Sequence, residues 1–282
     1  MKVITAIKDM RTEILKQKGL GKTIGFVPTM GFLHEGHLSL ISQARQENDI
    51  VVLSIFVNPL QFGPNEDFST YPRDFNRDRS LAEAEKVDYI FYPSVEEMYP
   101  YVPSVKVVVQ ERTDVLCGKS RPGHFDGVAT VLTKLFTIIM PTRAYFGKKD
   151  AQQVAVVDGL ISDFNFPIEL IAVDIIREAD GLAKSSRNVN LIPEERQQAT
   201  VLYRSLQSAK NTIDHGEQNP ANLICMISEM INRESNGQID YVEIFSYPQL
   251  KPLENLNGTI IIAIAVKFSK VRLIDNLIIQ ID

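Results

Sequence analysis

The chain has 282 residues, 44% of them apolar and 23% charged, with a formal net charge of -5. That is an ordinary globular composition, with room for two domains or one large α/β domain, and the negative balance argues against a nucleic-acid-binding face. Apolar runs at 50–57 and 259–266 fall short of the roughly 20 residues of a membrane helix, and Cys117 and Cys225 match no metal or redox spacing, so reduced cytosolic thiols are expected.

In chain order, residues 5–18 read as an amphipathic helix ending at Gly19, without the apolar core of a signal peptide. A buried strand over 23–27 runs into Pro28-Thr29-Met30-Gly31-Phe32-Leu33-His34-Glu35-Gly36-His37. A helix over 38–45 follows, with Leu38, Ile41 and Ala44 or Arg45 one turn apart. Half of the chain's four histidines therefore lie between a first strand and its helix, where open parallel sheets bind ligands. A helix start offers N–H groups and a positive dipole end to a phosphate, and Gly31 and Gly36 allow close backbone approach. Three-residue spacing does not fit the zinc-protease pattern, so the pair names no metal.

Residues 49–57 form a continuous apolar run, as in a strand buried on both faces. It ends at Asn58-Pro59-Leu60-Gln61-Phe62-Gly63, which puts Asn58 and Gln61 at a second carboxyl end. Amides there can orient a ligand's hydroxyls and carboxylate, although Asn58 could equally just close the turn. A charged helix over 73–86, a strand over 88–92, a loop over 93–103 and a strand-like run over 105–109 come next. Lys119, Arg121 and His124 then fall in a polar segment, 117–127, that reads as a solvated loop. An apolar-faced helix spans 128–140.

Around Phe146-Gly147-Lys148-Lys149-Asp150 a short strand again meets a helix, 151–164. Asp150 can cap it, Lys149 can reach a phosphate, and Gln153 faces the same mouth. A buried strand over 166–176 leads to Lys184, Ser185, Ser186 and Arg187, a dense anion-binding cluster. From Pro193 the pattern changes to two long helices, 193–215 and 219–234, followed by strands at 240–245, 259–266 and 271–279. The expected fold is α/β: a Rossmann-like parallel-sheet nucleotide-binding domain over 1–176, with a smaller C-terminal α+β lid domain over 177–282.

The His-Glu-Gly-His turn resembles the His-x-Gly-His nucleotide-binding motif of the nucleotidyltransferase superfamily. Four further motifs follow it: Val-Asn-Pro-Leu-Gln-Phe at 57–62, Arg-Pro-Gly-His-Phe-Asp-Gly-Val at 121–128, Phe-Gly-Lys-Lys-Asp-Ala-Gln-Gln at 146–153 and Ser-Ser-Arg-Asn at 185–188. Together and in this order they resemble the pantothenate synthetase (pantoate–β-alanine ligase) family, and the last also resembles the phosphate-clamping Lys-Met-Ser-Lys-Ser loop of class I aminoacyl-tRNA synthetases.

The resemblance implies an ATP site made of Met30, Gly31, Phe32, Leu33, His34, Glu35, Gly36 and His37, with Gly147, Lys148, Lys149, Asp150, Ile176, Lys184, Ser185, Ser186 and Arg187. The side chain of Lys148 is given no role of its own. His37, with His34, Lys149 and Arg187, would stabilise the reacting phosphates. Gln61 and Gln153 would hold pantoate, Gln61 also lying near β-alanine, with Asn58 beside them and Pro28, Met30 and Phe146 lining the pocket. The implied reaction is ATP-dependent and Mg²⁺-dependent: pantoate is converted to pantoyl adenylate, and β-alanine then displaces AMP in a cytosolic homodimer. Position 184 is often Met in the family, so Lys184 shifts the local charge. A nucleotidyltransferase of the same fold would not need Gln61 and Gln153, and a non-catalytic nucleotide-binding protein would tolerate His37→Ala. A nicotinamide oxidoreductase lacks support, since no Gly-x-Gly-x-x-Gly follows a strand.

Overall fold

The computed structural model describes residues 1–63 and 68–281, which divide into two units, Met1–Asp174 and Ile175–Asp282. The first is built on six parallel strands: β1 (Lys2–Ile4), β2 (Ile24–Thr29), β3 (Ile50–Ile55), β4 (Tyr89–Phe91), β5 (Arg143–Gly147) and β6 (Glu169–Val173). They lie in the order β1-β4-β3-β2-β5-β6. From β2 the chain adds strands in one direction through β3 and β4, then crosses back to add β5 on the other side. The switch point of this sheet thus lies between the carboxyl ends of β2 and β5.

Alternate residues of the central strands enter two cores. Phe26 and Val52 pack on one face with Phe136 and Leu135, while Val27, Val51 and Leu53 pack on the other with Ile41 and Ala44. That double burial explains the unbroken apolar runs. The helices are α1 (Ile7–Gly19), α2 (Glu35–Glu47), α3 (Phe75–Ala84), α4 (Val95–Met98), α5 (Leu116–Ser120), α6 (His124–Ile139) and α7 (Ala151–Asp163). The far end of α2 is locked to β5: Asn48 Nδ2 donates to the Tyr145 hydroxyl at 2.7 Å, and that hydroxyl donates to Glu47 Oε2 at 2.7 Å. Gly25 makes room for this, since a Cβ there would stand 2.6 Å from Asn48 Nδ2.

The second unit has helices α8 (Pro193–Gln198), α9 (Val201–Asp214) and α10 (Pro220–Glu234), and antiparallel strands β7 (Gln238–Ser246), β8 (Gly258–Lys267) and β9 (Arg272–Ile281). Leu202, Leu206, Ile227 and Ile231 from the helices share a core with Ile260, Ile262 and Ile264 of β8.

Four local expectations are corrected. Residues 105–109 form no strand, because the Val107 and Val109 N–H groups donate to side chains of α6, Thr130 Oγ1 and Asp126 Oδ1, both at 3.0 Å. The expected helix over 193–215 breaks at Ala199 and Thr200 into α8 and α9. The strand expected over 166–176 covers only Glu169–Val173 and is a half-exposed edge, its pairing confined to β5. The helix expected from residue 5 begins at Ile7, and before it lies an unexpected edge strand, β1. Among the described residues no helix is long and apolar enough to cross a membrane, and Cys117 and Cys225 are not disulfide-bonded.

Candidate active site

β2 pairs with β3 from Ile24 to Thr29, but with β5 only through Gly25 and Phe26. Pro28 contributes to this separation. Ile24 N donates to Thr142 Oγ1 on the β5 side, and by the two-residue period of a strand position 28 faces the same way, where proline has no N–H to give. The two strands therefore part at their carboxyl ends, and the expected site residues of this unit lie at or beyond that point.

The turn after β2 closes on its own histidines. His34 is the N-cap of α2 and its Nδ1 accepts from Gly36 N at 3.1 Å, while His37 Nδ1 accepts from His34 N at 3.3 Å. Two imidazoles thus form the capping box usually made by a hydroxyl and a carboxylate. Their ring centroids are 4.1 Å apart. The expectation that this helix start offers unpaired N–H groups is corrected here, because the rings take up the His34 and Gly36 donors. A ring nitrogen that accepts carries no proton, so the neutral form of His37 has its proton on Nε2, where it is able to donate. His37 is half-buried, and the protein packed around it, then the charges of His34 and Lys149, push its pKa down to about 3.

Lys149 follows β5 in a short 3-10 turn, Lys148–Asp150, and its charge bears on His37, so the β2 and β5 ends share one electrostatic site. Lys148 turns aside and pairs with Asp174 at 2.6 Å. Asp150 occupies the N-cap position of α7 but makes no side-chain cap, contrary to expectation. Phe146 is buried, and Gly147 and Gln153 are half-buried.

Gln61 and Asn58 are both buried. Asn58 Nδ2 donates to Gln61 Oε1 at 3.1 Å and to Gly127 O at 3.1 Å, and Gln61 Nε2 lies 3.2 Å from Met30 Sδ. Asn58 therefore does more than close a turn: it orients Gln61 toward the residue that follows β2. Close packing of α6 assists, since a Cβ at Gly127 would stand 2.2 Å from Leu60 O.

Three groups outside the expected set complete this network. The Tyr99 hydroxyl donates to Asn58 Oδ1 at 2.9 Å, and burial pushes its phenol well above the usual range, which keeps it a donor. His124 Nδ1 donates to Gln61 O at 2.8 Å, and Arg121 Nη1 lies 3.1 Å from His124 Nε2. Segment 117–127 is thus not a solvated loop: it holds all but the first residue of α5, begins α6 and is partly buried. The Arg-Pro-Gly-His motif was the available signal; nothing in 93–103 marked Tyr99.

In the second unit, Lys184 N donates to Ile176 O at 2.9 Å, and Ser185 Oγ accepts from Arg187 N at 3.3 Å, opening a 3-10 turn over Ser186–Asn190. Lys184, Ser185 and Ser186 are half-buried and Arg187 is exposed. The loop behind them is braced by Asn188 Nδ2, which donates to Ala183 O at 3.0 Å, and by Arg196, which pairs with Glu178 and Asp180 at 2.9 and 2.7 Å. No cluster of three or more metal-ligating side chains exists among the described residues.

The family model described as pantoate-beta-alanine ligase matches residues 2–278. A pantothenate synthetase of a Geobacillus species (strain WCH70) is 64% identical over 281 residues, covering all of both chains, and one from Bacillus cytotoxicus is 59% identical over 282, again covering both. The crystal structure of pantothenate synthetase from Thermus thermophilus superposes with a TM-score of 0.92 at 44% identity, covering 98% of this chain and 99% of that one. A pantoate-beta-alanine ligase from Francisella tularensis, complexed with beta-gamma ATP and beta-alanine, gives 0.78 at 35% identity, covering 98% and 97%. The parted strands, the paired imidazoles and the buried amides lie within this full-length likeness, and the chain belongs to the pantoate–β-alanine ligase family, the pantothenate synthetases.

Proposed function

We propose that the enzyme joins pantoate to β-alanine through a pantoyl adenylate formed at the carboxyl ends of β2 and β5. A pantoate carboxylate oxygen attacks the α-phosphorus of ATP, the bond from that phosphorus to the α,β-bridge oxygen breaks, and pyrophosphate leaves. The β-alanine amine then attacks the acyl carbon, the acyl–oxygen bond breaks, AMP departs, and the amine gives up its proton. One observation carries this reading: His37 Nδ1 accepts from His34 N at 3.3 Å, which leaves its Nε2 as a donor at the same strand ends that carry Lys149. A neutral donor beside a fixed cation suits charge that grows on phosphate oxygens, and it need not lose a proton to act.

In this reading His34 and His37 donate to phosphate oxygens, and Lys149 acts as a point charge beside them. Met30, Gly31, Phe32, Leu33, Glu35, Gly36, Gly147, Asp150 and Ile176 are assigned to the nucleotide, and Lys184, Ser185, Ser186 and Arg187 to its phosphates. Gln61, oriented by Asn58, and Gln153 orient the pantoate hydroxyls and carboxylate, with Pro28 and Phe146 as walls. With no group of three or more metal-ligating side chains among the described residues, Mg²⁺ would be held mainly by the ATP phosphates and would neutralise their charge. The protein works as a cytosolic homodimer, and residues 1–176 and 177–282 act as catalytic domain and lid.

The test is ATP–pyrophosphate isotope exchange with purified protein, Mg²⁺ and pantoate. Exchange that needs pantoate but not β-alanine is the expected result. Its absence, with ATP still bound, overturns the adenylate.

A further inference from the structure

We propose that Asp78, on a helix that carries none of the reacting side chains, is a positioning residue that sets the His34–His37 turn. This inference rests on the reading above for what the turn does, but the contact itself does not.

Gly31 and Phe32 both have positive φ, 84° and 52°. Two such residues in succession aim the N–H groups that follow at one point, a concavity suited to an anion. The anion found there is part of the protein. Asp78 Oδ2 accepts from Phe32 N at 2.8 Å and Oδ1 accepts from Leu33 N at 2.7 Å, with Asp78 only 1% exposed. A Cβ at position 31 would stand 2.9 Å from Asp78 Oδ2, so the sequence needs glycine there for space as well as for φ.

Arg77, next to Asp78, grips the same two residues from outside. Its Nη1 donates to Leu33 O at 2.8 Å, and its guanidinium lies 5.2 Å from the centre of the Phe32 ring. One turn of α3 thus holds two donors, one acceptor and one ring of a two-residue segment. The next residue is His34, whose N–H goes to His37. A shift at Leu33 passes directly to both imidazoles, and in catalysis a misplacement of about 1 Å can cost about 10²-fold.

Two consequences separate this role from that of an ordinary buried acid. The concavity is already filled, so the Phe32 and Leu33 N–H groups are not phosphate donors, and nucleotide charge falls to His34, His37 and Lys149. Loosening the clamp must also change the surroundings of His37 before any substrate binds.

The experiment pairs Asp78→Asn with Arg77→Gln, the latter at an exposed position chosen in case the former folds poorly. Histidine ring NMR of the ligand-free proteins is recorded from about pH 5 to 8, the window in which an unperturbed imidazole titrates. Pantoate-dependent ATP–pyrophosphate exchange and thermal melts are measured alongside. In the parent, His37 does not titrate in that window. In Asp78→Asn it does, and exchange kcat falls about 10- to 100-fold while the pantoate KM stays within about twofold; Arg77→Gln moves both readouts the same way by less. A folded Asp78→Asn protein with parental exchange, or with lost exchange and a silent His37, overturns the proposal. If the parent shows no exchange, the adenylate reading fails, and the His37 titration still decides the clamp.

Discussion

The His34–His37 turn and the Lys184–Arg187 segment are both read as phosphate-binding, yet they are built in opposite ways. In the turn, the rings cap their own helix and a buried carboxylate holds the residues before them. The segment is half-buried at three positions and exposed at Arg187, its one described cap being Ser185 Oγ to Arg187 N. A pre-set group has already lost its freedom on folding, so its interactions go into the transition state. A more exposed side chain keeps more rotamer freedom to lose when a ligand binds, which draws on binding free energy. The difference suggests a division of work: the turn sets the rate and the segment sets the affinity for ATP.

The largest expected effect tests the first half. His37→Ala lowers the kcat of pantoate-dependent exchange by about 10²- to 10³-fold, the scale of losing one pre-set donor. It also lowers the melting temperature, because His34 N loses its acceptor. Next, Arg187→Ala and Lys184→Ala raise the ATP KM by about 10-fold or more, as expected for a charged hydrogen bond of about 1.5–3 kcal/mol, and leave the β-alanine KM alone. If kinetics show instead that Arg187→Ala lowers kcat as much as His37→Ala does, the division fails.

A third prediction concerns pH. His37 is neutral when folded, with its pKa pushed to about 3, and protonates near 6.5 when unfolded. Below that value the unfolded chain binds the extra proton, so stability is full above pH 6.5 and is lost as pH falls toward 3, by about 1.4 kcal/mol per pH unit inside the window. Denaturant melts of the parent and of His37→Gln between these limits should show a flatter dependence for the variant; parallel curves would mean that the ring is not held neutral. The smallest effect is assigned to Tyr99→Phe, which removes one hydrogen bond to Asn58 and so costs about 1 kcal/mol, read as a roughly fivefold rise in pantoate KM with ATP kinetics unchanged.

The centre of this molecule was legible because its signals are local. Apolar runs give β2 and β3, and glycine with histidine between a strand and a helix gives the turn. What escaped depends on contacts across long stretches of chain. Asp78 meets Phe32 across 46 residues, and its only local sign is an acid among Phe75, Leu81 and Ala82 at helical spacing. Val107 and Val109 have strand chemistry, but side chains of α6 take their donors. Three residues of β1 are too few to show a period. The break between α8 and α9 lacks glycine or proline, while the start of α8 is tied across a long stretch by Glu195, whose carboxylate accepts from Ser269 N at 2.9 Å and from Ile192 N at 3.3 Å.

The ring-made cap also bears on how the enzyme fails with heat. Helix ends fray before a domain melts, and here the first turn of α2 and the proposed phosphate donors belong to the same two rings. Warming should therefore disarm the enzyme while its far-UV circular dichroism is still intact, with the midpoint for activity below that for unfolding. Bound ATP, by holding both rings, should draw the two midpoints together.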